Sequence, residues 1–179
     1  MTAPTPAGPT AELTTAWQAA LAAEHQAVFG YGLVQAHLVT EDDVISNEVP
    51  DDFSGNPHAA LARACDTAHA ALVESVSEAM LAVGLTPRGA LADYPALYPV
   101  TSAKDALALA ARMEDDCCSA WRGLYAACTP EAAPNADLAA PPTGLRDATQ
   151  QALTASAVRA LRWRKAMKAP QLTDAFPGL

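Results

Sequence analysis

Caps and prolines cut this sequence into four helical windows of nearly equal length, and four equal rods have few ways to pack. The first window covers about residues 11–39, with Thr10 placed as its N-cap and Glu12 in the first turn; Glu41, Asp42 and Asp43 follow it. The second opens on Asn56-Pro57, a cap followed by the proline that suits a first helical position, and runs to Gly84. The third opens at Ser102 with Asp105 three residues on, close to a capping box, and reaches Cys128 before Pro130. The fourth follows Pro141-Pro142 and covers about residues 143–168, stopping before Pro170. At 1.5 Å per residue each rod is about 40 Å long. Alanine supplies 43 of the 179 residues and loses no side-chain entropy in a helix, whereas aromatics make up only 6%. Too little remains to fill pleated surfaces, so an all-β fold is excluded. The expectation is an all-α fold: a four-helix bundle over residues 11–168, a Pro/Thr/Ala-rich tail at 1–10 and an apolar, proline-bearing tail at 169–179.

The link at residues 85–101 is long enough to change the topology. Fully extended it spans about 55 Å, more than the length of a rod, so it can carry the chain back along the bundle before the third helix begins. Pro87, Pro95 and Pro99, with Tyr94 and Tyr98, suggest an ordered strap. An up-down-up-down bundle with a long loop is the alternative.

Charge and targeting narrow the function classes. A formal charge of -9 opposes nonspecific binding to nucleic acid or to an anionic membrane. No run of about 18 apolar residues occurs, and residues 1–9 have neither the cationic start nor the apolar stretch of a signal peptide. Three of the four cysteines, Cys117, Cys118 and Cys128, fall in one helical window, unlike a disulfide framework, and Cys65 stands apart. A reducing cytoplasm is the expected compartment.

Stepping by four and three along the first window gives Trp17, Leu21, Glu24, Val28, Tyr31, Gln35 and Leu38, a core-facing stripe with a carboxylate at its centre. The second window gives Ala62, Asp66, His69, Val73, Val76, Met80 and Val83; the third gives Leu107, Ala110, Glu114, Cys117, Trp121, Leu124 and Cys128. Glu24, Asp66, His69 and Glu114 therefore fall on inward faces near mid-height. Unpaired buried carboxylates cost several kcal/mol each, so the cluster needs a compensating partner. One iron, manganese or zinc ion would serve, with Cys117 in reserve as a soft ligand. Otherwise the acids share protons or pair with Tyr31, Gln35 or an arginine.

The run Trp17-Gln-Ala-Ala-Leu-Ala-Ala-Glu24-His25-Gln-Ala-Val-Phe-Gly30-Tyr31-Gly32, with Ala-Leu-Ala-Ala-Arg-Met-Glu114 and Arg162-Trp163-Arg164, resembles an alanine-rich ferritin-like family of actinobacteria whose function is not established. The resemblance implies a ferritin-like bundle with a long crossover between helices 2 and 3. In the wider diiron superfamily two helices each give a Glu and the other two each give a Glu-x-x-His. Glu24, the Asp66/His69 pair and Glu114 match three of those places, with Asp for Glu. The fourth window departs from the pattern: from Ala148 onward it has no Glu, Asp or His, and its inward candidates are Leu145, Thr149, Ala152 and Ser156, or Leu153, Ala157 and Leu161. Without that half a full diiron site is not expected, and oxygen-activating chemistry loses its basis.

Cys117 and Cys118 lie about 100° apart on one helix, so packing is their expected role, and Glu114, Asp115 and Asp116 would raise the thiol pKa. His25 and His37 fall off the stripe, and His58 is expected near the surface. Arg146, Arg159, Arg162, Arg164, Lys165 and Lys168 make the last helix basic, which reads as a solvated face pairing with acidic neighbours or as a docking surface for an acidic protein partner. The C-terminal tail is expected to fold back over a groove or to serve as a docking peptide. Gly30, Gly32 and Ala36 would permit close helix approach in a homodimer, the default assembly. Two functions are open: a noncatalytic bundle acting through self-association or partner binding, and a mononuclear metal-binding protein with redox activity.

Overall fold

The protein is described by a computed structural model covering residues 8–38, 56–128, 141–173 and 177–178. Val39, Glu41–Asp43, Pro130 and most of the N-terminal tail, residues 1–7, lie outside the described residues. The described residues form four long helices and no strand: α1 (Ala11–Leu38), α2 (Pro57–Ala82), α3 (Ala103–Ala127) and α4 (Leu145–Ala166), with a 3-10 turn at Pro95–Leu97. No helix among the described residues is long and apolar enough to cross a membrane.

The caps act where the sequence places them. Thr10 Oγ1 accepts the Leu13 amide at 3.1 Å, Asn56 accepts that of His58 at 3.0 Å and Ser102 that of Asp105 at 3.1 Å, each filling one orphan donor of a helix start. At the end of α2, Gly84 takes φ +79, the left-handed stop for which a side chain would be strained. α4 begins two residues later than the sequence suggests. Gly144, at φ +82, turns the chain into the helix without a side-chain cap.

Cross-helix contacts fix the direction of each rod. Leu38 at the end of α1 accepts from Asn56 at the start of α2, and Glu24 of α1 meets His69 of α2, so α1 and α2 are antiparallel. Ala23 and Glu24 of α1 meet Cys117 and Trp121 of α3, while Tyr31 meets Glu114, so α3 also runs against α1. Tyr125 and Asp115 of α3 meet Arg146 and Arg164 of α4, the same reversal again. Helices α2 and α3 consequently point the same way, and the chain must return the length of the bundle between them. It does so along α1. Gln18 grips the backbone of Thr86 and Arg88, His25 bonds the Arg88 carbonyl, Phe29 packs on Tyr94, and Leu97 is buried.

Gly30 is spent inside the fold rather than on a contact with another molecule. A Cβ there would lie 2.1 Å from Met113 Sδ and 3.2 Å from Leu97 Cδ1, so the missing side chain makes room for the Met113 side chain of α3 and Leu97 of the crossover as they are seated against α1. Gly32, by contrast, is exposed. The core is built from large buried side chains including Trp17, Leu21, Met80, Leu124 and Trp163. Close backbone packing joins α1 to α2, α1 to α3 and α3 to α4, which leaves the α2/α4 edge of the square more open. A groove of about 760 Å³ lies along that edge.

Candidate functional site

The stripes bring Glu24, His69 and Glu114 together at the centre of the bundle, each fully buried. His69 sits between the two acids, its Nδ1 2.6 Å from Glu24 Oε2 and its Nε2 3.1 Å from Glu114 Oε1. An ionised carboxylate can only accept, so with both acids ionised each ring nitrogen donates and the ring is an imidazolium. Burial pushes its pKa down, but hydrogen bonds to Glu114 and Glu24 and the charges of both acids outweigh burial and lift it to about 9.

Each acid is then closed off by further donors. Trp121 Nε1 donates to Glu24 Oε1 at 2.6 Å. Glu114 accepts from the Tyr31 hydroxyl at 2.6 Å and, with both oxygens, from Arg159 Nε at 2.9 Å. Tyr31 in turn accepts from Trp163 Nε1 at 2.8 Å and stacks on the His69 ring at 5.4 Å between centroids. Burial and the Glu114 charge raise the Tyr31 pKa well above its ordinary value, so the hydroxyl stays a donor. Arg159 Nη2 donates to Ser156 Oγ at 3.0 Å. Two carboxylates face two cations, and the buried set is neutral.

Cys117 lies beside this set. Its thiol points to the Ala23 carbonyl at 3.7 Å, and burial, with the charges of Glu24 and Glu114, raises its pKa well above the thiol range. One ligand atom each from Glu24, His69 and Cys117 can be chosen so that all three lie within 4.8 Å of one another, a spacing that could hold a metal ion. Glu114 is outside that trio. So is Asp66, which is half-buried one turn away along α2 and accepts from Gln35 Nε2 at 3.1 Å. Cys118 turns the other way, toward the Leu153 carbonyl of α4, with its pKa pushed up to about 12 by burial, then by Asp115 and Glu114. All four cysteines are free and buried.

Arg159 is the central residue that reading the sequence missed. Counted with the basic face of α4, it is instead 8% exposed. The signal was present: Leu145, Thr149, Ala152 and Ser156 are buried as expected, and the same steps continue to Arg159 and Trp163, also buried. The remaining cations divide. Arg164 pairs with Asp115 at 2.7 Å and Arg146 lies over the Tyr125 ring, while Arg162, Lys165 and Lys168 are exposed. In the C-terminal tail, Pro177 lines a small cavity between α3 and α4, and Gly178, at φ +85, lies so close to the Cys118 carbonyl that a Cβ would be 2.6 Å from it. This part of the tail folds back, as expected; Phe176 and Leu179 lie outside the described residues. His25 and His37 are half-buried off the stripe, and His58, expected near the surface, is half-buried too.

A crystal structure of a conserved hypothetical protein, rv2844, from Mycobacterium tuberculosis is similar to this fold, with a TM-score of 0.64 and 30% identity over 88% of this chain and 98% of that one. No curated protein matches the sequence. The model of a domain of unknown function, DUF4439, matches residues 16–179, and the chain belongs to that family.

Proposed function

We propose that this protein is a noncatalytic ferritin-like bundle with a degenerate metal site, acting by binding to itself or to a partner. One observation carries the reading: at the centre, Glu114 is engaged by Arg159 through both oxygens, and His69 uses both nitrogens on Glu24 and Glu114. The order of the helices and the crossover along α1 support the ferritin-like assignment. The residues present do not fit a diiron centre, because the fourth helix offers a guanidinium where a ligand would be needed. A dication placed there would add to two cations already paired with the two acids. The exposed Arg162, Lys165 and Lys168 and the C-terminal tail are the surfaces proposed for a protein partner, and a homodimer is the proposed assembly.

The Glu24/His69/Cys117 spacing favours a second reading, a single iron, manganese or zinc ion. That ion would have to displace protons from both His69 and Cys117. Protein incubated with each metal, desalted and assayed for metal separates the two. The first reading expects far less than one ion per chain, unchanged in a Glu24→Ala/Cys117→Ala variant. About one ion per chain in the parent, lost in that variant, would establish the second. Light scattering on the same sample should give twice the chain mass; monomer alone at high micromolar concentration would remove self-association and leave the partner.

A further inference from the structure

The chain leaves α4 through a turn that its sequence does not favour. The Ala169 amide bonds the Arg164 carbonyl at 2.9 Å and the Lys168 amide that of Lys165 at 3.1 Å, the paired bonds of a Schellman cap. Such a cap needs a left-handed residue where Lys168 stands, usually a glycine. Lys168 takes φ +53, the only positive φ of a side-chain-bearing residue among the described residues. Pro170 to Thr173, which follow, are exposed. Thr173 and Pro177 then line a cavity of about 70 Å³ at the seam of α3 and α4, with Cys118, Ala157 and Ala160. Gly178 is half-buried against α3, where a Cβ would lie 2.6 Å from the Cys118 carbonyl oxygen and 3.1 Å from Ser119 Cα. A strained hinge, an exposed arm and a seat that selects glycine thus follow one another along the tail.

From these features we infer that the α3/α4 seam is a docking site for the tail of a second copy, so that two chains pair by exchanging their C-terminal segments. The inference rests on the self-association reading and names its surface and occupant. The seat is built by α3 and α4, so a second copy offers the same atoms and exchange sacrifices no tail contact. What exchange gains is the hinge. A tail that crosses to a neighbour need not reverse at Lys168, which returns to an ordinary φ, and Pro170 biases Ala169 toward the extended backbone of a projecting arm. Relaxing one left-handed residue that carries a side chain favours exchange about tenfold, and the two hinges of a dimer about a hundredfold. In one chain, a tail on a short tether meets its seat at an effective concentration on the order of millimolar. With contacts conserved, that figure sets the dissociation of an unaided exchanged dimer, and two relaxed hinges bring it to about 10 μM.

Light scattering of the full chain at high micromolar concentration, on the parent and two variants, tests this. The parent should be dimeric. Lys168→Gly supplies the residue that the closed turn prefers, so it should weaken the dimer by about a hundredfold and leave monomer, with the helical circular dichroism unchanged. Gly178→Val, whose tail fits neither seat, should be monomeric too. Its empty seam should bind a synthetic peptide of residues 169–179 saturably, whereas the parent, whose seats are filled, should bind that peptide at least about tenfold more weakly. The same peptide carrying Gly178→Val should not bind. The inference is overturned by a Lys168→Gly chain as dimeric as the parent, by a monomeric parent, or by no peptide binding to the Gly178→Val chain. Dimers in all three chains would leave self-association standing on another face, and failure of the noncatalytic reading would register differently, as a stoichiometric metal ion.

Discussion

Glu114→Leu will destabilise the folded protein by about 3–5 kcal/mol in urea unfolding, among the largest effects a single substitution here can have. The reason is what the change leaves behind. Arg159 and one nitrogen of His69 would remain buried with no anion between them, and the Tyr31 hydroxyl would lose its acceptor. Breaking a buried pair from one side exposes the full desolvation penalty of the survivor, whereas removing both partners together does not. The double variant Glu114→Leu/Arg159→Met should therefore recover at least half of the loss, since His69 keeps its partner in Glu24. Additive losses in the double variant, or a loss below about 1 kcal/mol for Glu114→Leu, would show that these groups do not act as a unit. If the leucine variant does not fold, Glu114→Gln, which keeps the shape and an acceptor, supplies the same comparison.

Most of this centre was legible in the sequence because helical periodicity reports burial directly. Counting by fours and threes finds Glu24, His69, Glu114 and Cys117, and the structure buries all four. The pairing of acids with Tyr31, Gln35 and an arginine was also foreseeable as a class: Tyr31 meets Glu114, Gln35 meets Asp66 and Arg159 meets Glu114. Which arginine was not. A cation is read as solvated unless its carboxylate is known, and the partner of Arg159 is 45 residues away on another helix. Asp66 shows the opposite limit. Residues three apart on a helix differ by about 60° around its axis, enough to leave His69 at the centre and Asp66 half-buried beside Gln35. Gly30 carried no sign of which surface it served, because the neighbour that needs the space, Met113, comes from α3.

The same charge balance makes stability fall with rising pH, and His69 sets where. Its pKa is about 9 in the folded protein against an ordinary value of 6.5, so the folded state holds a proton that the unfolded chain releases. Stability from this group is fully present below pH 6.5 and is lost as pH rises through 9. Between those limits the unfolded chain binds fewer protons, which makes the slope of unfolding free energy against pH negative. The full loss is about 3 kcal/mol, one proton's linkage over the whole shift. Cys117 and Cys118, with pKa values raised in the fold, add a decline of the same sign, but it begins only where thiols of the unfolded chain ionise, at and above about pH 8.5. The window from pH 6.5 to 8 therefore isolates the histidine. Urea unfolding across that window should show the decline in the parent and a flat profile in His69→Asn, whose amide still reaches an acid but carries no proton to lose. A parent profile that stays flat from pH 6.5 to 8 would mean that His69 is not held as an imidazolium between Glu24 and Glu114, and the neutral four-charge core would have to be abandoned with it.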